Sequence, residues 1–224
     1  MKIVLIGGTG ILGKELNKLD NSLICLDSTY DIFIFDDLRM FLEMENPDVI
    51  INCAAIKSGN VDDNIIKSIN VNIIGSANLS KYCIENEKRL VYISTDYVYP
   101  GKSGNYSESD FLMPQNNYAW TKLGGETPVM LVKNHLIIRT SFGENTFPHS
   151  KAFTNLFTSK DYVDIIAPMI LKTAKSNFVG KLNIGTQRKS IFEYVNSRNN
   201  VEPSSIPDSK DFSLNLEKYN NLFS

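Results

Sequence analysis

A chain of 224 residues, 42% hydrophobic and 21% charged, is long enough to enclose one large core, and its balance is that of a soluble globular protein. A net charge of −2 and a pI near 5.8 argue against a surface built for nucleic acid or for an anionic membrane. Two histidines, and three cysteines (Cys25, Cys53, Cys83) without close pairing, argue against a zinc site and a disulfide framework; buried, reduced thiols in a cytoplasmic protein are the expectation.

KIVLI (2–6) is a short apolar run ending in glycines and reads as a buried parallel strand. It meets those glycines too soon for a signal sequence, and no apolar run approaches the length of a membrane span, so neither is expected. Ile11, Leu12, Leu16 and Leu19 then recur at near-helical spacing, SLICL (22–26) is a second strand, and DIFIF (31–35) is a short third strand or a loop. A helix near 38–45 precedes the run DVIINCA (48–54). Val61, Ile65, Ile69, Ile73 and Ala77, spaced by four, mark one face of a long helix ending near Glu87. RLVYIS (89–94), a helix over 118–128 and HLIIRTS (135–141) follow. Beyond Ser141 the pattern weakens to a proline-containing helix in 160–174, a strand at 181–185, a helix at 190–198 and a mostly extended tail over 199–224. The alternation implies a Rossmann-like, doubly wound parallel α/β sheet, because parallel strands need crossover helices.

Directly after the first strand stands GGTGILG (7–13), in which Gly7, Gly10 and Gly13 form a G-x2-G-x2-G pattern opening a helix. Glycine there permits the tight turn, a close approach to a pyrophosphate and close helix–strand packing, while the turn at Ile11 and Leu12 offers amide donors at a positive helix end. Asp27, twenty positions after Gly7, is placed to accept hydrogen bonds from ribose hydroxyls, which favours NAD over NADP. Cys53, Ala54 and Ala55 follow their strand at the switch-point edge, where small residues let a dinucleotide cross. Residues 1–141 therefore read as a dinucleotide-binding core, with 142–224 packed on it in one compact unit.

RLVYIS runs into STDYVYPG (94–101), which puts Ser94 and Thr95 at the carboxyl edge of the sheet, beside the glycine loop. Tyr118 and Lys122 follow at the start of the next crossover helix, four apart and so on one face. Tyr-x3-Lys arises by chance about once in a chain of this composition. Its position after Thr95 and the glycine loop is what gives the pair weight.

GGTGILG, INCAA, NIIG (72–75), STDYVYPG, YSESD (106–110), YAWTKLGGE and IIRTS stand in the order found in extended short-chain dehydrogenases/reductases. STDYV followed by YAWTKLGGE resembles the dTDP-4-dehydrorhamnose reductase branch more than the sugar epimerases. The resemblance is close over 1–141 and loose over 160–219, and by it 142–224 is a shortened substrate-binding segment. It implies an NAD(H)- or NADP(H)-dependent reductase of a 4-keto-6-deoxy nucleotide sugar, with Tyr118 as general acid, Lys122 and the oxidised nicotinamide favouring its phenolate, and Thr95 or Ser94 hydrogen-bonding the substrate oxygen. By the same resemblance Asp96 and Tyr97 line the substrate pocket, Ser94, Tyr118, Lys122 and Ser141 border the cofactor, Asn72 is a supporting helix asparagine, and a homodimer is expected. No metal is implied. Two alternatives stay open: an epimerase or dehydratase using the same tyrosine, and a non-catalytic dinucleotide-binding regulatory subunit.

The chain departs from that pattern in places. Only nineteen residues, 142–160, separate Ser141 from Asp161, where the family has a longer segment that closes over the nucleotide sugar. Phe142 replaces a tryptophan and Lys57 a small hydroxyl residue. Arg188 is a candidate pyrophosphate clamp, His149 and Lys151 are candidate substrate contacts in the short segment, and Arg139, in an apolar strand, is expected to pair with an acid. Gly124, Gly125 and Pro128 should weaken or kink the Tyr118 helix after Lys122, because glycine costs about 1 kcal/mol and proline about 3 kcal/mol in a helix interior.

Overall fold

The computed structural model describes residues 1–26, 30–57 and 61–223. Six parallel strands form one sheet, ordered β10-β5-β4-β3-β1-β2: β1 is Ile3–Ile6, β2 Ile24–Cys25, β3 Val49–Asn52, β4 Arg89–Thr95, β5 His135–Thr140 and β10 Gly180–Ile184. Every residue of β1, β3 and β4 is buried, so these strands read as continuous apolar runs rather than alternating ones. Alternation is still present between the two faces. Ile3, Leu5, Ile51, Val91 and Leu136 point to the layer holding α1 (Ile11–Leu19) and α6 (Val163–Ala174). Val4, Ile50, Leu90, Tyr92 and Ile137 point to the layer holding α2 (Phe35–Glu45), α4 (Gly75–Glu85) and α5 (Asn117–Val129).

Residues beyond Ser141 divide between this sheet and a small outer layer. They supply β10 beside β5 and α6 beside α1, and also the short strands β6 (Phe142–Gly143), β7 (Lys151–Phe153), β8 (Leu156–Thr158), β9 (Asp161–Tyr162), β11 (Lys189–Ser190), β12 (Glu202–Ser204) and β13 (Lys210–Asp211). Helix α7 is Ile191–Asn196. The tail is less extended than the sequence implies, because it ends in the helix α8 (Glu217–Phe223), whose Tyr219 is buried on the sheet.

Residues 31–35 form no strand. Ile32 is buried against the bare Cα of Gly75 and its carbonyl accepts from Asn78 Nδ2, which turns the chain directly into α2. Nor is the long helix built on the isoleucine face. It consists of α3 (Ile65–Ser68), a π-helical segment Ile69–Ile74 and α4. Of the expected face, Ile65 and Ile69 are exposed, Ile73 and Ala77 half-buried and Val61 buried, while Ser68, Asn72, Ser76 and Ser80 are buried along the helix. A polar stripe can be buried here because each group is bonded: the Ser68, Ser76 and Ser80 hydroxyls to carbonyls four residues back, and Asn72 to Ile56 and Thr121.

The glycines of α5 answer to the same packing. The helix runs unbroken over Asn117–Val129, capped at its start by Asn116 Oδ1 accepting from the Ala119 N–H, so the expected break after Lys122 is absent. Pro128 falls in the last turn, where little helix remains to disrupt. A Cβ on Gly125 would lie 2.3 Å from Tyr92 Oη and 2.4 Å from the Asn72 carbonyl, whereas one on Gly124 would meet chiefly the Ile73 side chain, 2.9 Å from its Cδ1. Gly125→Ala is therefore expected to lower stability by about 1–3 kcal/mol through overpacking, while Gly124→Ala is neutral or stabilising, as a better helix former beside a movable neighbour. Urea-unfolding midpoints of the two variants check this.

Candidate active site

A cleft of about 940 Å³ opens at the carboxyl ends of the strands. One wall is the turn between β1 and α1. Gly7 has φ +84°, and its carbonyl accepts from the Gly10 N–H at 3.1 Å. A Cβ on Gly7 would lie 2.7 Å from the Ala54 backbone, and one on Gly13 2.3 Å from the Gly7 carbonyl, so both positions are closed to any side chain. Gly10 is the N-cap of α1 and has no side chain to cap it, which leaves the first-turn amides facing the cleft without an acid in that turn. This glycine cradle and open helix end suit a dinucleotide pyrophosphate.

Of the residues nominated from sequence, Gly10, Ile11, Leu12, Gly13, Cys53, Ala55, Ser94, Thr95, Tyr97, Tyr118, Lys122 and Ser141 line this one cleft. Gly7 and Ala54 stand behind it, holding the loop against the end of β3. Asp96 is buried beneath Thr95 and does not line it. Asp27 lies outside the described residues. The thiols are not uniformly buried, since Cys25 is exposed and Cys53 half-buried in the cleft wall.

Ser94 and Thr95 have different tasks. The Ser94 hydroxyl donates to Glu126 Oε1 at 2.5 Å and is thereby engaged, whereas Thr95 lines the cleft with Oγ1 beside Asp96 Oδ1 (3.2 Å) and accepts from the Tyr97 N–H (3.2 Å). Lys122 is buried with Nζ 4.1 Å from the Tyr92 ring centroid. Burial brings its pKa down to about 7, opposed by the charges of Glu126 and Cys53. Tyr118 is half-buried, and its phenol is pushed up by burial first and then by Asp96 and Tyr97, against a hydrogen bond from Thr95. In the protein alone the phenol is thus held protonated. Asp96 itself is raised to about 7 by burial, against Lys160 and its own hydrogen bonds.

Arg139 pairs with an acid as expected: Nη2 to Glu126 Oε2 at 2.8 Å and Nε to Oε1 at 3.1 Å, both side chains almost fully buried. Arg188 is elsewhere, pairing with Asp211 at 2.7 Å in a separate hollow. Of the short-segment candidates, His149 and Lys151 do not line the cleft, whereas Lys57 and Phe142 do. Sequence reasoning missed Thr9, Lys14, Lys18, Thr140 and Lys160 in the lining. Position at the end of β5 could have flagged Thr140; nothing local distinguishes Lys160, whose place depends on the folding of residues 142–161.

A model of the family described as the RmlD substrate binding domain matches residues 1–173. The chain is 32% identical over 180 residues to the dTDP-4-dehydrorhamnose reductase of Aggregatibacter actinomycetemcomitans, covering 75% of this chain and 61% of that protein. It is 30% identical over 142 residues to the methionine adenosyltransferase 2 subunit beta of Danio rerio, covering 58% of this chain and 43% of that one. Its fold matches that of the dTDP-4-dehydrorhamnose reductase from Bacillus anthracis str. Ames in complex with NADP, with a TM-score of 0.85 at 25% identity, covering 100% of this chain and 92% of the other. By sequence the chain spans only about three fifths of the length of the curated reductases it matches. With the family model covering most of its length, a doubly wound sheet and the glycine cradle at its edge, the chain belongs to the RmlD substrate binding domain family.

Proposed function

We propose that the protein is an NAD(P)H-dependent reductase of a 4-keto-6-deoxy nucleotide sugar. The observation that carries this reading is the meeting of Thr95, Tyr118 and Lys122 in the same cleft as the open N-terminus of α1. The names of the sequence relatives support it. A cofactor held by Gly10, Ile11, Leu12 and Gly13 would supply the hydride. The residues of the chain do the rest: Tyr118, protonated at neutral pH, is suited to give its proton to the ketone oxygen, and Thr95 to hold that oxygen by a hydrogen bond. Lys122, with a pKa near 7, changes charge in the working range and can support the tyrosine once its proton is given up. Tyr97, with its ring 4.9 Å from that of Phe212, forms a fixed wall of the substrate end.

A second reading, a dinucleotide-binding subunit without turnover, is favoured by the likeness to methionine adenosyltransferase 2 subunit beta and by the short segment 142–160. An epimerase or dehydratase would return the hydride to its substrate and consume no cofactor. Among the described residues no helix is long and apolar enough to cross a membrane.

Oxidation of NADPH and NADH over a panel of nucleotide 4-keto sugars separates these readings. Tyr118→Phe is expected to lose about 10²–10⁴-fold in kcat with cofactor affinity unchanged; wild type that binds cofactor and turns over nothing would leave the subunit reading standing. A second prediction concerns stability. The folded pKa of Lys122, about 7, lies below its ordinary value of 10.5. Between these values the unfolded chain binds the extra proton, so the Lys122 contribution is present at high pH and is lost as pH falls through 7. Lys122→Met should therefore raise the thermal midpoint relative to wild type more at pH 6.5 than at pH 9.5, as scanning calorimetry at the two pH values would measure.

A further inference from the structure

Lys160 lies between β8 and β9, and it lines the cleft together with Thr95, Tyr97 and Tyr118. Pairing of β6 with β9 sets Phe142 opposite Asp161, which carries Lys160 to the end of β5. Its Nζ stands 5.4 Å from the Tyr194 ring centroid, beside Gly143, where a Cβ would lie 2.3 Å from Tyr194 Oη, 3.2 Å from Lys160 Cε and 3.5 Å from Nζ. The lysine thus occupies a recess formed by a bare glycine and an aromatic face.

Among the described residues no ion pair takes Lys160, and the salt bridges nearest this region take other cations, Arg139 with Glu126, Lys189 with Asp161 and Arg198 with Asp164. The charge that Lys160 feels is that of Asp96, whose carboxyl is buried and shared with Thr95 and, at 3.5 Å, Thr158. Glu144 also lines the cleft but is exposed to solvent. A largely desolvated ammonium with so weak a partner is costly, and a ligand that brings an anion relieves the cost. A second observation points the same way. Thr140 Oγ1, at the end of β5 and lining the same cleft, is the buried side-chain polar atom without a hydrogen-bond partner among the described residues.

The other cations of the cleft are differently placed. Lys14 and Lys18 belong to α1, Lys57 follows β3, and Lys122 is buried over Tyr92. Arg139 and Arg188 are held by Glu126 and Asp211. We propose that Lys160 is a substrate-binding residue that takes an anionic oxygen group of the substrate, the phosphate attached to the sugar, with a sugar carboxylate as the other source of the same chemistry. This rests on the reading of the cleft as a keto-sugar site. It also supplies what a short 142–160 segment needs: one fixed charge in place of a larger closing surface.

The test uses the full chain loaded with NADP, as wild type, Lys160→Met and Lys160→Arg, titrated by calorimetry with dTDP and with galacturonate and assayed with the nucleotide keto sugar. Affinity for dTDP, and KM, should weaken by about tenfold or more in Lys160→Met, the scale of one charge-assisted hydrogen bond. Lys160→Arg should recover most of it, with NADPH affinity unchanged throughout. Loss confined to galacturonate assigns the anion to a carboxylate and keeps Lys160 in its role. If no sugar is turned over but dTDP binding still depends on Lys160, the reductase reading fails and the anion site stands. If turnover occurs and KM and the affinities for dTDP and for galacturonate are all unchanged in Lys160→Met, the anion site is overturned while the reductase reading survives.

Discussion

The buried pair between Glu126 and Arg139 is the constraint on which the cleft depends. Two opposite charges taken out of water are tolerable only when every remaining lone pair and proton is satisfied. Here Glu126 also receives the Ser94 hydroxyl, and Arg139 Nη1 donates to Tyr99 Oη at 3.0 Å and to the Glu108 carbonyl at 3.3 Å. Tyr99 Oη lies 3.0 Å from Asn183 Oδ1, and the Asn183 N–H donates to Glu108 Oε1 at 2.8 Å. Helix α5, strands β4, β5 and β10 and the loop after β4 are thereby tied by one network. Because Glu126 sits one turn beyond Lys122, fixing it fixes the face that carries Tyr118 and Lys122, and its charge limits how far burial lowers the Lys122 pKa.

A second constraint acts from the other side of α5. Asn72 accepts from the Ile56 N–H at 2.8 Å, donates to the Ile56 carbonyl at 3.2 Å and donates to Thr121 Oγ1 at 2.8 Å, so one amide joins the loop after β3 to α5. The π turn places Asn72 on that buried face, and Gly125 lets the two helices meet closely enough for the bonds to form. Helix, loop and strand ends are thus held from opposite sides by polar contacts in a dry interior, where an unmade bond is expensive. Rigidity of this kind suits a site in which a phenol, a hydroxyl and an amine must hold fixed positions.

Within the cleft, burial raises both Asp96 and Tyr118 and lowers Lys122, which sets an acid and an amine near neutrality around a protonated phenol. The arrangement follows from the low dielectric of the strand ends rather than from close ion pairing. Thr95 stands beside Asp96 and lines the cleft with Tyr118, without contributing a charge of its own.

Much of this was legible in the amino-acid order. Strands buried on both faces read as mainly apolar runs, and a glycine turn before an uncapped helix admits few other structures, so β1, β3, β4, β5 and the cradle of Gly7, Gly10 and Gly13 could be placed from local pattern. The Tyr118 and Lys122 spacing became meaningful through its order after Thr95. What local pattern misjudged was decided by distant partners. Ile65 and Ile69 had the spacing of a core face, yet the serine and asparagine stripe is buried because α5 offers glycine and Thr121 opposite it. Gly124 and Gly125 looked like helix defects until Ile73, Tyr92 and Asn72 were found against them. Lys160 carried no signal at all, since its position beside Gly143 and Tyr194 exists only once β6 and β9 pair. Sequence alone determined the sheet, the cradle and the order of Thr95, Tyr118 and Lys122 after it, because these follow from backbone geometry and apolar period. Which polar groups are buried, which are engaged and which face the cleft was settled only by the tertiary structure, because hydrogen-bond partners and dielectric come from residues far apart in the chain.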